Sequence, residues 1–368
     1  MNYPRLLDSF FYDSSKYSIS RNGIGVLSDA TDCAVTEEMN GVFTLTMTYP
    51  VGGIHWLDID VGMYIVCRPN EFAEEQPFLI KKISKAMGGS VKIDAEHISY
   101  NASGIMVSGF NAGNSGAFRT FLNEEAVNNV IGISFGTDIK KSATHIGIYK
   151  PPRSMRSLLL DKDDSFVSLY GGEFEFNGLS IFAHQRRGTD RGVTIRYGKN
   201  LTALTQTRNI RDFATSGYPY WYKSNADGTR YVDLPEKILH YGVAEYSDVE
   251  KTELIDLSSK FDSAPSESEL RSAATEWIND NWKSSPPYSI TLSFVDLSKT
   301  TEYANIAAAE KVMIGDTITV IQPEMNIGAK LRVVKTVYDV LQNRYKSIGI
   351  GDPVETIADT IIKISGGK

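Results

Sequence analysis

Two glutamates on a short predicted strand are the residues that most resemble a catalytic pair. Glu173 and Glu175 lie two positions apart in the segment Glu-Phe-Glu-Phe, and two carboxylates that close could serve a glycosidase as acid and base. Alternation along a strand, however, places Phe174 and Phe176 together on a core face and both glutamates on the solvent face. The pattern favours a structural strand, and we predict no catalytic residue here.

The sequence also lacks motifs for metal binding or nucleophilic catalysis. The five histidines have no His-x-x-x-His spacing of the kind that zinc helices use. In the segment Asp94-Ala-Glu-His97, Glu96 and His97 fall on opposite faces of an extended chain. Cys33 and Cys67 form no Cys-x-x-Cys motif, which predicts two reduced, buried thiols. We therefore expect no catalytic site, no metal and no cofactor.

Two segments have residue types suited to binding a partner. The first is a basic patch, which is interpreted either as solvated charge on a hairpin or as a docking surface for an acidic partner: Arg186, Arg187 and Arg191. The second is the aromatic run 218–222, in which tyrosine and tryptophan suit a boundary between apolar and polar surroundings: Tyr218, Tyr220, Trp221 and Tyr222. For this run, core packing and interface anchoring both remain open.

Length and composition indicate a folded protein with more than one domain. A chain of 368 residues with 42% hydrophobic and 23% charged residues can bury two or three cores. The net charge of -7 argues against a surface that neutralises nucleic-acid phosphates. The N-terminus lacks the features of a signal peptide, and no apolar run approaches the ~20 residues of a membrane helix. We expect synthesis in a bacterial cytoplasm and no membrane span.

The first hundred residues have strand periodicity. In the segment 42–49, apolar residues alternate with threonines, and further strands are predicted at 63–68, 78–84 and 90–95. This pattern predicts a first β-barrel-like domain over residues 1–100. A mixed α/β insert is predicted over 101–195, with short helices starting near Ser115 and at Asp164 or Ser165. It also has a hairpin at Asn177-Gly178 and a second hairpin around 187–192.

The remaining sequence predicts a second β-rich domain. Strands are expected at 290–294, 316–321 and 330–337 within residues 196–350. An amphipathic helix near 266–281 should begin with a capping box between Ser266 and Glu269. The segment Asp352-Pro-Val-Glu355 predicts a last helix over 351–368. The expected fold class is multidomain α+β.

Segments spread from about residue 20 to residue 351 resemble the prophage endopeptidase tail family of tail-associated phage minor structural proteins. The resemblance is carried by the segments 35–50, 93–100, 171–177, 188–201, 314–320, 338–341 and 348–351. The most diagnostic block is Gly171-Gly-Glu-Phe-Glu-Phe-Asn177 followed by Gly188-Thr-Asp-Arg-Gly192 and its continuation to Leu201. A chance local motif would not extend over nearly the whole chain.

The resemblance implies a fold similar to the hub of contractile-phage baseplates, with two β-barrel-like domains per chain. It also implies a homotrimeric ring in the virion tail that joins a distal tail protein or tail tube to a tip fibre, spike or lysin. The lumen of such a ring would admit the tape measure protein and then DNA. A heterologous interface that closes after three copies needs only complementary surfaces.

The family name raises the question of enzymatic activity. Members often carry a peptidoglycan-degrading domain after this module, whereas the present sequence ends seventeen residues beyond Gly351, too few for such a domain. We therefore expect no enzyme activity, unless the native gene continues. Two alternatives remain: a cell-wall hydrolase or peptidase with its site in the mixed insert, and a carbohydrate- or receptor-binding module that uses residues 218–222.

Overall fold

The structure is a computed structural model of the chain, and it is mostly β. It describes residues 3–8, 12–13, 16–17, 22–85, 87–107, 116, 132–140, 152–161, 165–208, 210, 213–225, 228–241, 251–258, 260–282, 288–295 and 311–351. Contacts divide the chain into a main unit, residues 1–205 with 290–368, and an inserted unit, residues 206–289. Within the described ranges, no helix has the length and apolar character needed to cross a membrane.

The first half of the main unit contains short strands and two short helices. The strands are β1 Arg5–Leu7, β2 Tyr12–Asp13, β3 Lys16–Tyr17, β4 Gly25–Val26, β5 Asp32–Glu38, β6 Phe43–Pro50, β7 Tyr64–Cys67, β8 Gln76–Lys85, β9 Ser90–His97, β10 Met106–Val107, β11 Ser134–Thr137, β12 Arg153–Ser154, β13 Glu173–Asn177, β14 Ser180–His184 and β15 Asp190–Arg196. The helices are α1 Met155–Leu160 and α2 Phe166–Tyr170, and a 3-10 segment covers Ile98–Gly104.

The second half of the chain supplies the remaining elements. The strands are β16 Leu201–Arg208, β17 Ser216–Asn225, β18 Gly228–Asp233, β19 Leu239–His240, β20 Thr252–Asp256, β21 Tyr288–Phe294, β22 Thr317–Gln322, β23 Ile327–Asp339 and β24 Arg344–Gly351. Helix α3 covers Glu267–Asn281, and a 3-10 turn covers Pro323–Met325. The predicted helix over 351–368 lies beyond the described residues except for Gly351, which ends β24.

One sheet of 13 strands joins both ends of the main unit. Its order is β16-β21-β24-β23-β5-β6-β9-β8-β7-β1-β4, with β22 attached to β23 and β15 attached to β22. Strand β6 shows why these residues form a sheet: Phe43, Leu45, Met47 and Tyr49 are buried, while the threonines between them are half-buried or exposed. The strand predicted at 42–49 is confirmed at Phe43–Pro50.

The middle of the chain packs against this first group of strands. Strands β13 and β14 form the hairpin that was predicted at Asn177-Gly178, with Gly178 at a φ of 56°. Helix α2 begins at Ser165, which caps it as predicted. The predicted helix near Ser115 lies outside the described residues. The core of this region is continuous with that of the first strands through residues such as Phe135, Leu158, Phe166, Phe174 and Phe176.

The prediction of a second hairpin around 187–192 is wrong. Strand β15 does not fold back on β14 but pairs in parallel with β22, more than 120 residues later in the sequence. The apolar residues of β15 explain this partner, because Val193 and Ile195 are buried beside the equally buried Ile318 and Val320 of β22. The Gly-containing segment that was interpreted as a turn is therefore a connection between two sheets.

Six strands in the second half of the main unit form one continuous hydrogen-bonded series. Their order is β15-β22-β23-β24-β21-β16, so β15 and β16 form the two ends of the series. A short corner at 197–200 connects these two end strands in the sequence. Asn200 holds the corner together, because its side chain accepts a hydrogen bond from the Arg196 amide (2.8 Å) and donates one to the Thr194 carbonyl (3.2 Å).

The inserted unit is a small sheet covered on one face by helix α3. Strand β17 pairs with β18 and β19 in antiparallel fashion and with β20 in parallel. The capping box predicted between Ser266 and Glu269 is present at the start of α3. The core contains Trp221, Leu234, Ile255, Leu257, Leu270, Ala273, Ala274 and Ile278. The predicted domain boundaries at 100, 195 and 350 follow changes of sequence pattern, and they remain predictions.

A buried polar cluster ties the first strands to the β13–β14 hairpin. The oxygen of the Gln76 amide accepts a hydrogen bond from the Gly178 backbone (2.7 Å) and lies 3.0 Å from Nε2 of His97. Because that oxygen can only accept, Nε2 of His97 must carry the proton, and Nδ1 accepts from the Ser99 amide (3.3 Å). His97 is fully buried and stacks on Phe43 with ring centroids 4.2 Å apart. It is a neutral structural histidine.

This cluster predicts a loss of stability in acid. Burial, assisted by the charge of Arg156, lowers the pKa of His97 to about 3. The unfolded chain, in which the pKa is about 6.5, then binds more protons between these two values, so stability is complete above pH 6.5 and falls as the pH falls. We expect a loss of about 2 to 3 kcal/mol between pH 7 and pH 4.5. Urea unfolding at pH 7 and pH 4.5 measures this loss of unfolding free energy, which should be smaller for His97→Gln than for the native chain. Equal losses in the two proteins would contradict the assignment of His97 as a neutral buried histidine.

Candidate functional site

The diagnostic glycine-containing segments meet at a junction inside the main unit. Residues 187–189 pass directly over residues 314–316, and the amide of Thr189 donates to a carboxylate oxygen of Asp316 (2.8 Å). A Cβ atom on Gly188 would lie 2.1 Å from the Gly315 carbonyl carbon, and one on Gly315 would lie 2.6 Å from the Arg187 oxygen. Only two glycines allow the backbones to approach this closely.

Arg332 of β23 is the central cation of this junction. Its guanidinium binds both carboxylate oxygens of Glu173, at 2.5 and 2.6 Å, and it also donates to the carbonyls of Arg187 (2.9 Å) and Gly315 (3.1 Å). Burial alone would raise the pKa of Glu173, but the hydrogen bonds and charges of Arg332 and Arg187 outweigh burial and lower that pKa. The arrangement fixes β13 against β23.

The expectation that Glu173 and Glu175 both face solvent is wrong for Glu173. Its side chain is only 16% exposed, because Arg332 from a distant strand covers it. Glu175 keeps 47% exposure and pairs with His184 at 2.7 Å. The two carboxylates therefore contact different side chains, Arg332 and His184, and their geometry does not support the glycosidase interpretation.

The predicted basic patch does not form one surface. Arg187 donates to Glu37 (3.1 Å) and to the Phe174 carbonyl (2.7 Å), and its side chain is largely buried. Arg191 pairs with the buried carboxylate of Asp316 at 3.1 Å. Arg186 donates to the Thr317 hydroxyl at an exposed position. Arg187 and Arg191 thus hold their own chain together, while docking of a partner through this patch remains a prediction.

The aromatic run 218–222 divides between the two faces of the inserted sheet. Trp221 is 1% exposed and lies in the core under α3, with its indole nitrogen donating to the Phe261 carbonyl (3.1 Å). The three tyrosines alternate with it and therefore lie on the opposite face. The period of two along a strand predicts this division. Burial favours core packing for Trp221, whereas interface anchoring by the tyrosines remains a prediction.

The register assigns further residues to this second face, which we call the tyrosine face. It comprises Tyr218, Tyr220, Tyr222, Tyr231, Asp233, Leu254 and Asp256. Tyr218 donates to Asp233 (2.6 Å), and Tyr220 donates to Asp256 (2.9 Å). The hydrogen bond to Asp233 raises the pKa of Tyr218. Tyr222 and Leu254 are 47% and 68% exposed, so large apolar groups are open to solvent here.

A second exposed apolar surface lies on the main unit between β6 and β7. In this segment, residues 51–62, which we call the apolar loop, Ile54 is 74% and Leu57 77% exposed. The backbone is nevertheless held in place, since the Ile54 amide donates to Asp29 (2.7 Å) and the Val51 amide donates to the Gly89 carbonyl (2.8 Å). Exposed apolar side chains on a fixed backbone are typical of interaction sites.

The main unit also contains a cavity of about 510 Å³ beside β23 and β24. Its aromatic lining includes Phe294, Tyr338 and Tyr345, and the hydroxyls of both tyrosines are already engaged, with Asn343 and the Val312 carbonyl. No histidine or cysteine is among the residues that line it. Across the described residues, no group of three His, Cys, Asp or Glu side chains could hold a metal ion. Cys33 and Cys67 are buried and unbridged, as predicted.

Comparison with known proteins supplies a family-model match over part of the chain, and a fold. The family model described as prophage endopeptidase tail matches residues 189–361, a range that contains the β15–β22 junction. No curated protein matches the chain.

Three solved structures extend the likeness to nearly the whole chain. Prophage tail protein gp18 from Listeria monocytogenes EGD-e has a TM-score of 0.54 at 12% identity, covering 99% of this chain and 98% of that one. The tail protein from Neisseria meningitidis MC58 has 0.55 at 8% identity, covering 97% and 98%. The 43 kDa tail protein of prophage MuSo2 from Shewanella oneidensis has 0.54 at 11%, covering 95% and 98%. The sequence resemblance is thereby confirmed: the chain carries a prophage endopeptidase tail segment at residues 189–361 within the fold of prophage tail proteins.

Proposed function

We propose that the chain is a structural protein of a phage or prophage tail, made in the host cytoplasm and assembled into the virion. The observation that carries this proposal is the shared fold, which spans 98% of each of three prophage tail proteins. A fold that recurs over whole chains at 8 to 12% identity indicates that the architecture itself is retained. A scaffold role requires this architecture and no catalytic group.

Within the tail, the role we propose is that of the baseplate hub. It would be an α+β protein with two β-barrel-like domains, forming a trimeric ring between a distal tail protein or tail tube and a tip fibre, spike or lysin. The six-strand series with its end strands joined at the Asn200 corner supports the second barrel-like domain. The tape measure protein and then DNA would pass through the lumen.

The apolar loop is the surface that we assign to contact between copies. Ile54 and Leu57 would pack on a different surface of the neighbouring copy, since a heterologous contact closes into a ring when its rotation is 120°. The contacts with Asp29 and Gly89 keep the loop in one conformation before association, which lowers the entropic cost of binding.

Light scattering after size exclusion tests the ring directly. At micromolar concentration we expect a mass of three times the 40.8 kDa chain, and we expect the double variant Ile54→Ser/Leu57→Ser to be monomeric. Met106→Ser is the matched control, because Met106 is 62% exposed elsewhere on the main unit, and it should remain trimeric. A monomer at all concentrations, or a trimer that survives the double substitution, would contradict this assignment.

The alternative function, a cell-wall hydrolase, has a separate test. The purified chain would be incubated with Gram-positive cell walls, and soluble glycan and peptide fragments would be followed by mass spectrometry. A structural protein releases none above the level of a heat-denatured sample. Release that requires the folded chain would overturn the proposal that this chain has no enzyme activity.

A further inference from the structure

The inserted unit is distinctly acidic. Residues 206–289 contain nine Lys and Arg against fourteen Asp and Glu, a net charge of -5, whereas the whole chain has -7. Most of the protein's excess negative charge therefore belongs to a segment of 84 residues. At physiological ionic strength such a field attracts a basic partner over roughly 8 Å.

The tyrosine face concentrates aromatic rings within this acidic unit. Tyr222 and Tyr231 are directly opposite each other on β17 and β18, and they are 47% and 52% exposed. Tyr220 stacks near Tyr231, with ring centroids 6.2 Å apart at 20°. Since helix α3 covers the other face of the sheet, this face is the one available to a partner.

Hydrogen bonds hold two of the rings on this face in place. Asp233 and Asp256 accept from the hydroxyls of Tyr218 and Tyr220, which fixes both rings. Asp233 is also paired with Lys237 at 2.6 Å, while Asp256 lies at an exposed position beside Tyr220. Fixed aromatic faces next to a carboxylate bind guanidinium groups by cation–π attraction and charge.

We propose that the tyrosine face binds an extended segment of another protein that carries arginine side chains at alternate positions. Tyr218, Tyr220 and Tyr222 repeat every second residue along β17, and alternate residues of any extended chain have the same spacing of roughly 6 to 7 Å. Each arginine of an Arg-x-Arg-x-Arg segment then meets one tyrosine. This inference goes beyond the hub proposal and does not depend on it.

A neutral carbohydrate is the other occupant that an aromatic surface could accept. Sugars bind through ring stacking together with hydrogen bonds from nearby polar side chains, and two hydroxyls of this face already donate to carboxylates. The negative charge of the unit adds nothing to the binding of a neutral sugar but favours arginine. The observations therefore favour the basic segment.

Calorimetry with a defined peptide tests the proposal on the full chain. The probe is an acetylated and amidated peptide, Gly-Arg-Gly-Arg-Gly-Arg-Gly, with citrulline and lysine versions as controls. We expect binding of the arginine peptide, weaker binding of the lysine peptide and none of the neutral citrulline peptide. The double variant Tyr222→Ala/Tyr231→Ala should weaken binding about tenfold, as expected when two exposed cation–π contacts are lost. Tyr197→Ala, which removes a tyrosine that is 52% exposed on the main unit, should leave binding unchanged.

Three outcomes would overturn the proposal. They are no binding of the arginine peptide at millimolar concentration, equal binding of the citrulline peptide, and equal weakening by Tyr197→Ala and the double variant. Binding of a neutral cell-wall polysaccharide that is lost in the double variant, without binding of the arginine peptide, would assign the face to carbohydrate instead. Measuring the mass of each variant keeps this test separate from the hub proposal.

Discussion

Gly188→Ala is expected to destabilise the main unit by about 3 to 5 kcal/mol, or to prevent its folding, because two costs coincide. The backbone of Gly188 has a φ of 71°, which is unfavourable for a residue with a Cβ atom. The added Cβ would also lie 2.1 Å from a backbone carbon and 2.3 Å from the nitrogen of Asp316. Neither atom can move without separating the two segments, since Thr189 and Asp316 are hydrogen-bonded there.

Gly192→Ala is the matched control for this substitution. Gly192 has a φ of 76°, almost the same as Gly188, but a Cβ atom there would meet nothing within 4 Å. Gly192→Ala should therefore lower the free energy of unfolding only by the cost of the unfavourable backbone conformation, about 1 kcal/mol. Urea unfolding of both variants, followed by circular dichroism, separates the two contributions. Similar losses for both variants would mean that the crossing of the two segments is not tight in solution.

The elements that the sequence predicts well are those whose signal is local. Alternation identifies β6, and a capping box identifies the start of α3, because neighbouring residues alone determine a strand face or a helix cap. The same alternation separates Trp221 from the adjacent tyrosines. Predictions of this kind need no knowledge of which element lies opposite.

The failures concern partners that are distant in the sequence. The segment around Gly188 has the residue types of a hairpin turn, yet the strand that follows it, β15, pairs with the distant strand β22. Glu173 was expected on a solvent face, because nothing near it in the sequence indicates that Arg332 would cover it. A glycine motif gives the same local signal for a turn and for a close crossing of two backbones. The sequence resemblance found this block, but only the fold explains why its residues are required.

Removal of the charge of Glu173 is the second substitution with a large expected effect. The side chains of Glu173 and Arg332 are 16% and 11% exposed, so Glu173→Gln leaves a largely buried guanidinium without its anion. Loss of one partner from such a pair costs about 3 kcal/mol or more. Glu175→Gln on the same strand is the control, and its cost should stay below about 1 kcal/mol because that pair with His184 is half exposed.

Two further measurements distinguish loss of the ion pair from a general weakening of β13. In the double variant Glu173→Gln/Arg332→Met, no unpaired charge remains, so the loss should be clearly smaller than the sum of the two single losses. The pKa of Glu173 is lowered from its ordinary value of 4.5. Its carboxylate therefore stabilises the fold above pH 4.5, and this contribution disappears as the pH falls through the lowered value. The stability difference between the native chain and Glu173→Gln should accordingly shrink in acid. Two results together would contradict this role of Glu173: a stability difference that stays constant from pH 7 to pH 3, and single-variant losses that add up to the loss of the double variant. They would mean that Arg332 does not need Glu173 as its charge partner.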